Sequence, residues 1–248
     1  MSTRSGDAPE GGFDGFVPLL TVAVPVYNEH ATVLPLLERV LAVPISLEVV
    51  LVDDGSTDGT RELLEAWCIG GDSRVRLVLH EANQGKGAAI VSAIRAARGR
   101  FLIVQDADLE YDPACYPELL APLLSGDADV VYGSRFARCR WPEGMRFPNW
   151  LANRILTVAA NLLFPGAGLT DEATCYKVFR REVLDRFPLR ARRFDFCPEV
   201  TAKVLRRGIR IHEVPIAYVA RTGAQGKKIR WTDAVDAFRA LLRYRFHD

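Results

Sequence analysis

Residues 20–60 read LTVAVPVYNEHATVLPLLERVLAVPISLEVVLVDDGSTDGT. Two apolar runs rich in valine, Leu20–Val26 and Leu47–Asp53, flank a segment over 31–43 in which Val33, Leu34, Leu37, Val40 and Leu41 share one helical face. Near-continuous apolar runs predict strands buried on both sides, and the 3.6-residue period between them predicts a covering helix. Strand, helix and strand in that order predict a parallel pair with a crossover helix. Polar residues collect where each strand ends, as Pro25–Glu29 and as Asp53–Asp58. Ligands of such sheets sit at the carboxyl ends of the strands.

The alternation continues outward. Strands are expected over 75–80, 101–105 and 130–133, with helices over 58–69 and 87–98. Further on, a helix over 147–164 ends at Pro165-Gly166, and strands over 175–179 and 209–219 bracket a helix over 196–207. The segment Trp231–Phe246 is an amphipathic C-terminal helix, with Trp231, Val235, Phe238, Leu241 and Leu242 on one side and Arg239, Arg243 and Arg245 elsewhere. We find neither an internal repeat nor a linker. The expectation is one α/β domain over 17–248, a mostly parallel central sheet flanked by helices, after a polar, Gly-rich leader over 1–16 expected to be disordered.

Composition narrows the class. The 248 residues are 49% hydrophobic and 25% charged, with a formal net charge of +1. That near-neutrality conceals an asymmetry, because residues 189–248 hold 14 Lys/Arg against 6 Asp/Glu while residues 1–188 hold 18 against 25. A basic end on an acidic body is expected to face phosphates. The five cysteines (Cys68, Cys115, Cys139, Cys175, Cys197) are odd in number and show no C-x-x-C pair, which fits a reducing compartment better than a disulfide framework. The sequence opens without the apolar core of a signal peptide, and its longest apolar stretch, 155–169, is broken by Asn161, Pro165 and Gly166. His30, His80, His212 and His247 are dispersed without ligand spacing and receive no role.

Four clusters carry the chemistry. Asp106-Ala107-Asp108 follows the run Phe101–Val104, so two carboxylates leave a strand at one turn. All-oxygen ligands of this kind suit Mg²⁺ or Mn²⁺ shared with substrate phosphates, and Glu110 is placed to add a third oxygen. A helix cap is the plain alternative for such a turn. In Asp53–Asp58, Asp58 is a plausible N-cap and Asp54 is left to accept from a nucleobase edge. Pro25, Tyr27 and Glu29 close the first strand with a ring suited to packing on a base. In Asn83-Gln84-Gly85-Lys86-Gly87 a flexible turn carries a cation, without Walker spacing.

Taken together, V-P-V-Y-N-E (24–29), V-D-D-G-S-T-D-G-T (52–60), N-Q-G-K-G-A-A (83–89) and Q-D-A-D-L-E (105–110) resemble the family 2 glycosyltransferases of the GT-A (Rossmann-like) fold. Y-G-S-R-F (132–136), T-D-E-A-T-C-Y-K-V-F-R-R-E-V (170–183) and R-T-G-A-Q-G-K-K-I (221–229) look most like the branch of dolichyl- or polyprenol-phosphate mannose and glucose synthases. The resemblance covers about residues 18–246. It implies an inverting, metal-dependent hexosyltransferase acting from a GDP- or UDP-sugar donor on a lipid-phosphate carrier. Pro25, Tyr27, Glu29, Asp54, Lys86 and Asp106 would bind the nucleotide, and Asp106 and Asp108 the Mg²⁺ or Mn²⁺, with Glu110, often Gln in this branch, as an added charge.

A phosphate acceptor is already an anionic nucleophile, so it needs cations rather than a base. Arg135, Arg154, Arg221, Lys227 and Lys228 are the candidates, although the branch's arginine in the helix over 147–164 aligns with either Arg154 or Asn153. Asp171 is either a general base, as in relatives that glycosylate hydroxyls, or an anchor for the acceptor loop. The competing readings are a same-fold transferase to a soluble hydroxyl with Asp171 as base, and a sugar-phosphate nucleotidyltransferase. Against the latter, the first strand lacks the expected Gly-rich loop. Both aspartates of the D-x-D argue against a non-catalytic binder, and nucleic-acid binding lacks a module. The expected setting is the cytoplasm, peripheral at the membrane face, through a bilayer surface or a membrane-protein partner. The helix over 147–164 and the Arg-rich helix Trp231–Phe246 are the candidate contacts. Oligomeric state, sugar and nucleotide stay open.

Overall fold

Seven strands form one sheet: β1 (Leu20–Val26), β2 (Leu47–Asp53), β3 (Val75–Leu79), β4 (Phe101–Val104), β5 (Val130–Ser134), β6 (Lys177–Arg180) and β7 (Ile211–Pro215). Their order across the sheet is β3-β2-β1-β4-β6-β5-β7. The computed structural model describes residues 17–220 and 231–247. The leader expected over 1–16 lies outside them, as does the segment containing Arg221, Lys227 and Lys228.

The parallel βαβ expectation holds where the sequence was most apolar. β1 pairs in parallel with β2 from Leu20↔Leu47 to Val26↔Asp53, and with β4 from Leu20↔Phe101. All seven residues of β2 are buried, as two-sided covering requires. Each fully buried Leu, Val or Phe of this core contributes roughly 1.5–3 kcal/mol. One strand departs from the pattern: β6 runs antiparallel between β4 and β5. The other six therefore point their carboxyl ends to one edge. Because the chain builds β2 and β3 on one side of β1 and then returns to β4 on the other, a crevice opens beyond the ends of β1 and β4.

Helices α1 (Val33–Leu41), α2 (Thr60–Cys68), α3 (Lys86–Ala96), α4 (Tyr116–Ser125), α5 (Phe147–Leu163), the single turn α6 (Arg181–Leu184), α7 (Phe196–Arg206) and α8 (Trp231–Phe246) complete the described chain. Helix α4 has no counterpart in the sequence reading, because Pro117 and Pro122 interrupt its pattern. Strand β7 is shorter than the expected 209–219. It ends at Pro215, and the chain then crosses to the site, where Tyr218 bridges to Tyr111. Asp58 is not the N-cap residue of α2; Gly59 holds that position in the left-handed region, and Asp58 accepts from Thr60 N one residue further in.

A second cluster fastens the C-terminal helix. Leu156, Ala159 and Ala160 of α5 pack with Ala202 of α7 and with Ala237, Leu241 and Tyr244 of α8. The packed face of α8, with Ala237, Ala240, Leu241 and Tyr244, is offset from the expected stripe, of which Leu241 is buried while Val235 and Phe238 are exposed. Helix α5 differs, since Phe147, Leu151, Ile155, Val158 and Leu162 are exposed. At its start Trp141, Phe147 and Trp150 stack with centroids 5.1–6.1 Å apart. The five cysteines are all unpaired. Among the described residues no helix is long and apolar enough to cross a membrane.

Candidate active site

A cleft of about 860 Å³ opens where β1, β2, β4 and β5 end. Its lining brings together Pro25, Tyr27, Glu29, Asp54, Lys86, Asp106, Asp108, Glu110 and Arg135, nine of the residues the sequence singles out. Asp54 and Asp108, distant in sequence, face one space because in-register parallel strands end together. Among the described residues two non-glycine residues have positive φ, Asn28 at 53° and Leu109 at 61°, and both lie in these strand-exit turns. Asparagine tolerates that region, whereas leucine does so only when its surroundings impose it. Here the turn closes when Glu110 N donates to Asp108 Oδ1 at 3.1 Å.

The D-x-D loop is held from below. Gln105 is fully buried, and its Oε1 accepts from Tyr116 Oη at 2.6 Å and from Tyr176 Oη at 2.5 Å. Above it, Asp106 Oδ1 pairs with Lys86 Nζ at 2.6 Å. Burial opposes the Lys86 charge, but the Asp106 carboxylate, with smaller contributions from Cys175 and Cys197, outweighs it and holds the ammonium well above its usual pKa. Burial, and then the negative charges of Asp106 and Glu110, push the Asp108 carboxyl up to about 7. Negative charge is therefore crowded around Asp108.

Glu110 lines the cleft but is not a free third metal ligand. Its Oε2 accepts from Tyr218 Oη at 2.6 Å, which straps the chain beyond β7 onto the D-x-D turn. Among the described residues no three His, Cys, Asp or Glu side chains gather into a metal cage. The donor set nevertheless suits a hard divalent ion: carboxylate oxygens only, on one side of an open cleft, with the remaining positions left for phosphate and water.

Asp54 also departs from expectation. It is 2% exposed, its Oδ1 accepts from His80 Nδ1 at 2.7 Å and Gln84 N at 2.9 Å, and its Oδ2 accepts from Gly85 N at 2.7 Å. Each carboxylate oxygen offers two acceptor positions, so one remains for a base edge. The larger part of Asp54 fastens the 83–87 turn. His80, given no role from spacing, bridges Asp54 to Ser92 Oγ at 2.9 Å. As its lack of Walker spacing implied, that turn is no backbone phosphate loop, because Gly87 N and Ala88 N donate to Arg193 O and Arg192 O at 2.8 and 3.0 Å. Backbone donors already taken by carbonyls cannot cradle an anion. What the turn offers the cleft is the Lys86 side chain.

At the end of β5, Arg135 is 7% exposed and forms a two-pronged pair with Asp171, Nε to Oδ2 and Nη2 to Oδ1, each at 2.7 Å. The backbone N of Arg135 adds a third bond to Oδ2 at 3.0 Å. Asp171 is fully buried, so the general-base alternative is corrected: both its oxygens are committed to Arg135. Arg154 is corrected as well. Its guanidinium lies over Phe136, 5.5 Å from the ring centroid, and it is not among the residues lining the cleft, whereas Asn149 and Asn153 of the same helix are. Sequence reading also missed Tyr218 and Arg193 as lining residues. Arg193 carried a signal in the basic run 190–193; Tyr218 sat inside what looked like a strand.

A mostly parallel sheet with a D-x-D turn in the cleft at its strand ends marks the GT-A class of glycosyltransferases. The chain belongs to glycosyl transferase family 2, whose model matches residues 21–187. It is 31% identical over 206 residues to the dodecaprenyl-phosphate galacturonate synthase of Rhizobium johnstonii, covering 82% of this chain and 59% of that protein. It is 33% identical over 217 residues to the undecaprenyl-phosphate 4-deoxy-4-formamido-L-arabinose transferase of Pseudomonas aeruginosa, covering 85% and 60% respectively. The chain thus spans about three fifths of the length of these relatives. In fold it is similar to glucosyl-3-phosphoglycerate synthase of Mycobacterium tuberculosis, solved with Mn²⁺, UDP and glucosyl-3-phosphoglycerate. There the TM-score is 0.71 at 21% identity, over 98% of this chain and 88% of that one.

Proposed function

We propose that this chain transfers a sugar from a nucleoside-diphosphate sugar to a polyprenyl-phosphate-type lipid, inverting the anomeric carbon in one displacement. The observation that carries the reading is the cleft itself. It brings Asp106, Asp108 and Lys86, groups for a metal-bound donor diphosphate, into one lining with Arg135, a cation for the acceptor phosphate. The relatives, both polyprenyl-phosphate sugar transferases, support the acceptor class.

Asp106 and Asp108 would hold Mg²⁺ or Mn²⁺. When bound, such an ion offsets the charge that builds on the leaving diphosphate. Tyr27 and Glu29 flank the base and ribose, and Lys86 supplies a cation to the diphosphate. Arg135 receives the acceptor phosphate and offsets its repulsion from the donor. Asp171 keeps that guanidinium charged and aimed, because the pair is buried and doubly hydrogen-bonded. Arg221, Lys227 and Lys228 join the acceptor side in this reading, from outside the described residues. A phosphate oxygen is ionised at neutral pH and needs no base, which agrees with an Asp171 that is fully buried against Arg135 and not among the residues lining the cleft. That agreement favours the lipid phosphate over a soluble hydroxyl.

A lipid acceptor also implies contact with a bilayer. Helix α5 turns Asn149, Asn153 and Leu156 to the cleft and an exposed apolar row to the outside. Exposed Arg138, Arg140 and Arg146 flank its start. Trp and Arg beside an apolar helix face suit an anionic membrane surface, which supports the reading of a peripheral protein at the cytoplasmic face. The test is a screen of UDP- and GDP-sugars with Mn²⁺ or Mg²⁺ against a short-chain polyprenyl phosphate and a panel of soluble acceptors. Product on the lipid phosphate, lost in Asp108→Ala, supports the reading. Product on a soluble hydroxyl alone contradicts it.

A further inference from the structure

The carboxylate that the proposed function gives to a divalent ion already has a cation on it. Lys86 Nζ lies 2.6 Å from Asp106 Oδ1, and the two side chains are 29% and 16% exposed, so solvent screens the pair only in part. A divalent ion drawn to Asp106 and Asp108 would meet that ammonium at short range. Like charges at such spacing repel strongly wherever water is partly excluded. Either the ammonium leaves or the ion binds poorly.

The backbone around Lys86 cannot yield. Asp54 accepts from Gln84 N and Gly85 N on one side, and the carbonyls of Arg192 and Arg193 accept from Ala88 N and Gly87 N on the other. A Cβ on Gly85 or Gly87 would fall 2.4 and 2.9 Å from atoms of the 191–193 segment, so the turn is packed as well as bonded. What can move is the four-carbon stem, whose ammonium is a flexible point charge. From Asp106, the place for it to go is an anion arriving in the cleft.

We propose that Lys86 is a resident counter-cation of the D-x-D turn, displaced from Asp106 by the divalent ion and received by the donor diphosphate, so that metal and nucleotide bind cooperatively and each binds weakly alone. The proposal rests on the reading of Asp106 and Asp108 as metal ligands. In the empty cleft Lys86 spares Asp106 from standing as an uncompensated partly buried charge. In the loaded cleft the same ammonium faces the leaving group. Linkage makes the effect reciprocal: nucleotide must raise metal affinity by the factor by which metal raises nucleotide affinity.

The experiment measures Mn²⁺ binding from the electron paramagnetic resonance signal of free Mn²⁺. Wild type, Lys86→Met and Lys86→Arg are titrated alone and with UDP or GDP, and circular dichroism confirms that each is folded. Lys86→Met keeps the stem and removes the charge. It is expected to bind Mn²⁺ alone at least about 5-fold more tightly than wild type, the lower end of ordinary coupling between sites. Its enhancement of Mn²⁺ binding by nucleotide should shrink by a similar factor, and Lys86→Arg should behave as wild type. The proposal is overturned if Lys86→Met binds Mn²⁺ alone no more tightly than wild type, or if its nucleotide enhancement is undiminished. Wild type that binds no Mn²⁺ even with either nucleotide is a separate result: it removes the metal reading and this inference with it.

Discussion

Asp171 shows how much one side chain's surroundings decide its role. In the sequence it is a carboxylate near the acceptor segment, a base or, as the basic C-terminal end favours, an anchor; in the structure it is a buried counter-ion with three bonds to Arg135. Asp171→Asn leaves a buried guanidinium without its charge partner, so it is expected to cost about 3 kcal/mol of stability. Calorimetry should show that loss together with a raised acceptor KM. Normal stability with only kcat reduced would instead indicate a base. Next to it, Glu172 is fully buried and neither carboxylate oxygen has a hydrogen-bond partner. Burial, only partly opposed by Lys177, pushes its carboxyl above the ordinary 4.5. The folded chain therefore favours the protonated acid: stability from this group is full below the unfolded value and is lost as pH rises through the folded one. The melting-temperature advantage of Glu172→Gln over wild type should accordingly grow as pH rises above the ordinary carboxyl range. Parallel melting profiles over that rise would contradict it. Neither environment was legible in the sequence, because burial and partners come from elements far apart in the chain.

At the scale of elements, the strands that carry the site were legible because they are the most apolar segments. β1 and β2 match their predicted bounds, since a run buried on both faces has no period to confuse. The antiparallel insertion of β6 was not, because nothing in four residues encodes direction. The 83–87 turn was legible as flexible glycines and proved to be a packed junction between α3 and the 191–193 segment. Gly85 has φ +99°, and a Cβ there would lie 2.4 Å from Arg192 O. Gly85→Ala should therefore cost about 1–3 kcal/mol and, by shifting the turn that carries Lys86, weaken UDP or GDP binding. Denaturant unfolding and nucleotide titration check the two effects; wild-type values in both would show that the junction is looser than its contacts imply.

Across the whole molecule, the D-x-D turn, the Asp54 strap and the Arg135–Asp171 pair meet at one edge only because six of seven strands point the same way. That convergence was predictable from strand–helix alternation. The outward face of α5 was legible as an amphipathic helix, but which side would be covered depended on α8, which packs against it through Ala237, Ala240, Leu241 and Tyr244. If the exposed row meets a bilayer, Leu151→Glu with Ile155→Glu should abolish sedimentation with anionic vesicles while changing stability by no more than about 0.5 kcal/mol. Vesicle binding at the wild-type level would place the membrane contact elsewhere.

The central claim is that Asp106 and Asp108 bind a divalent ion together with a nucleoside diphosphate. Anomalous diffraction at the manganese edge, from crystals grown with Mn²⁺ and UDP or GDP, tests it most directly. The account predicts one strong peak between those two carboxylates, with the diphosphate beside it and Lys86 turned away from Asp106. A peak elsewhere, or a nucleotide seated in the cleft with no manganese at the D-x-D turn, would contradict it.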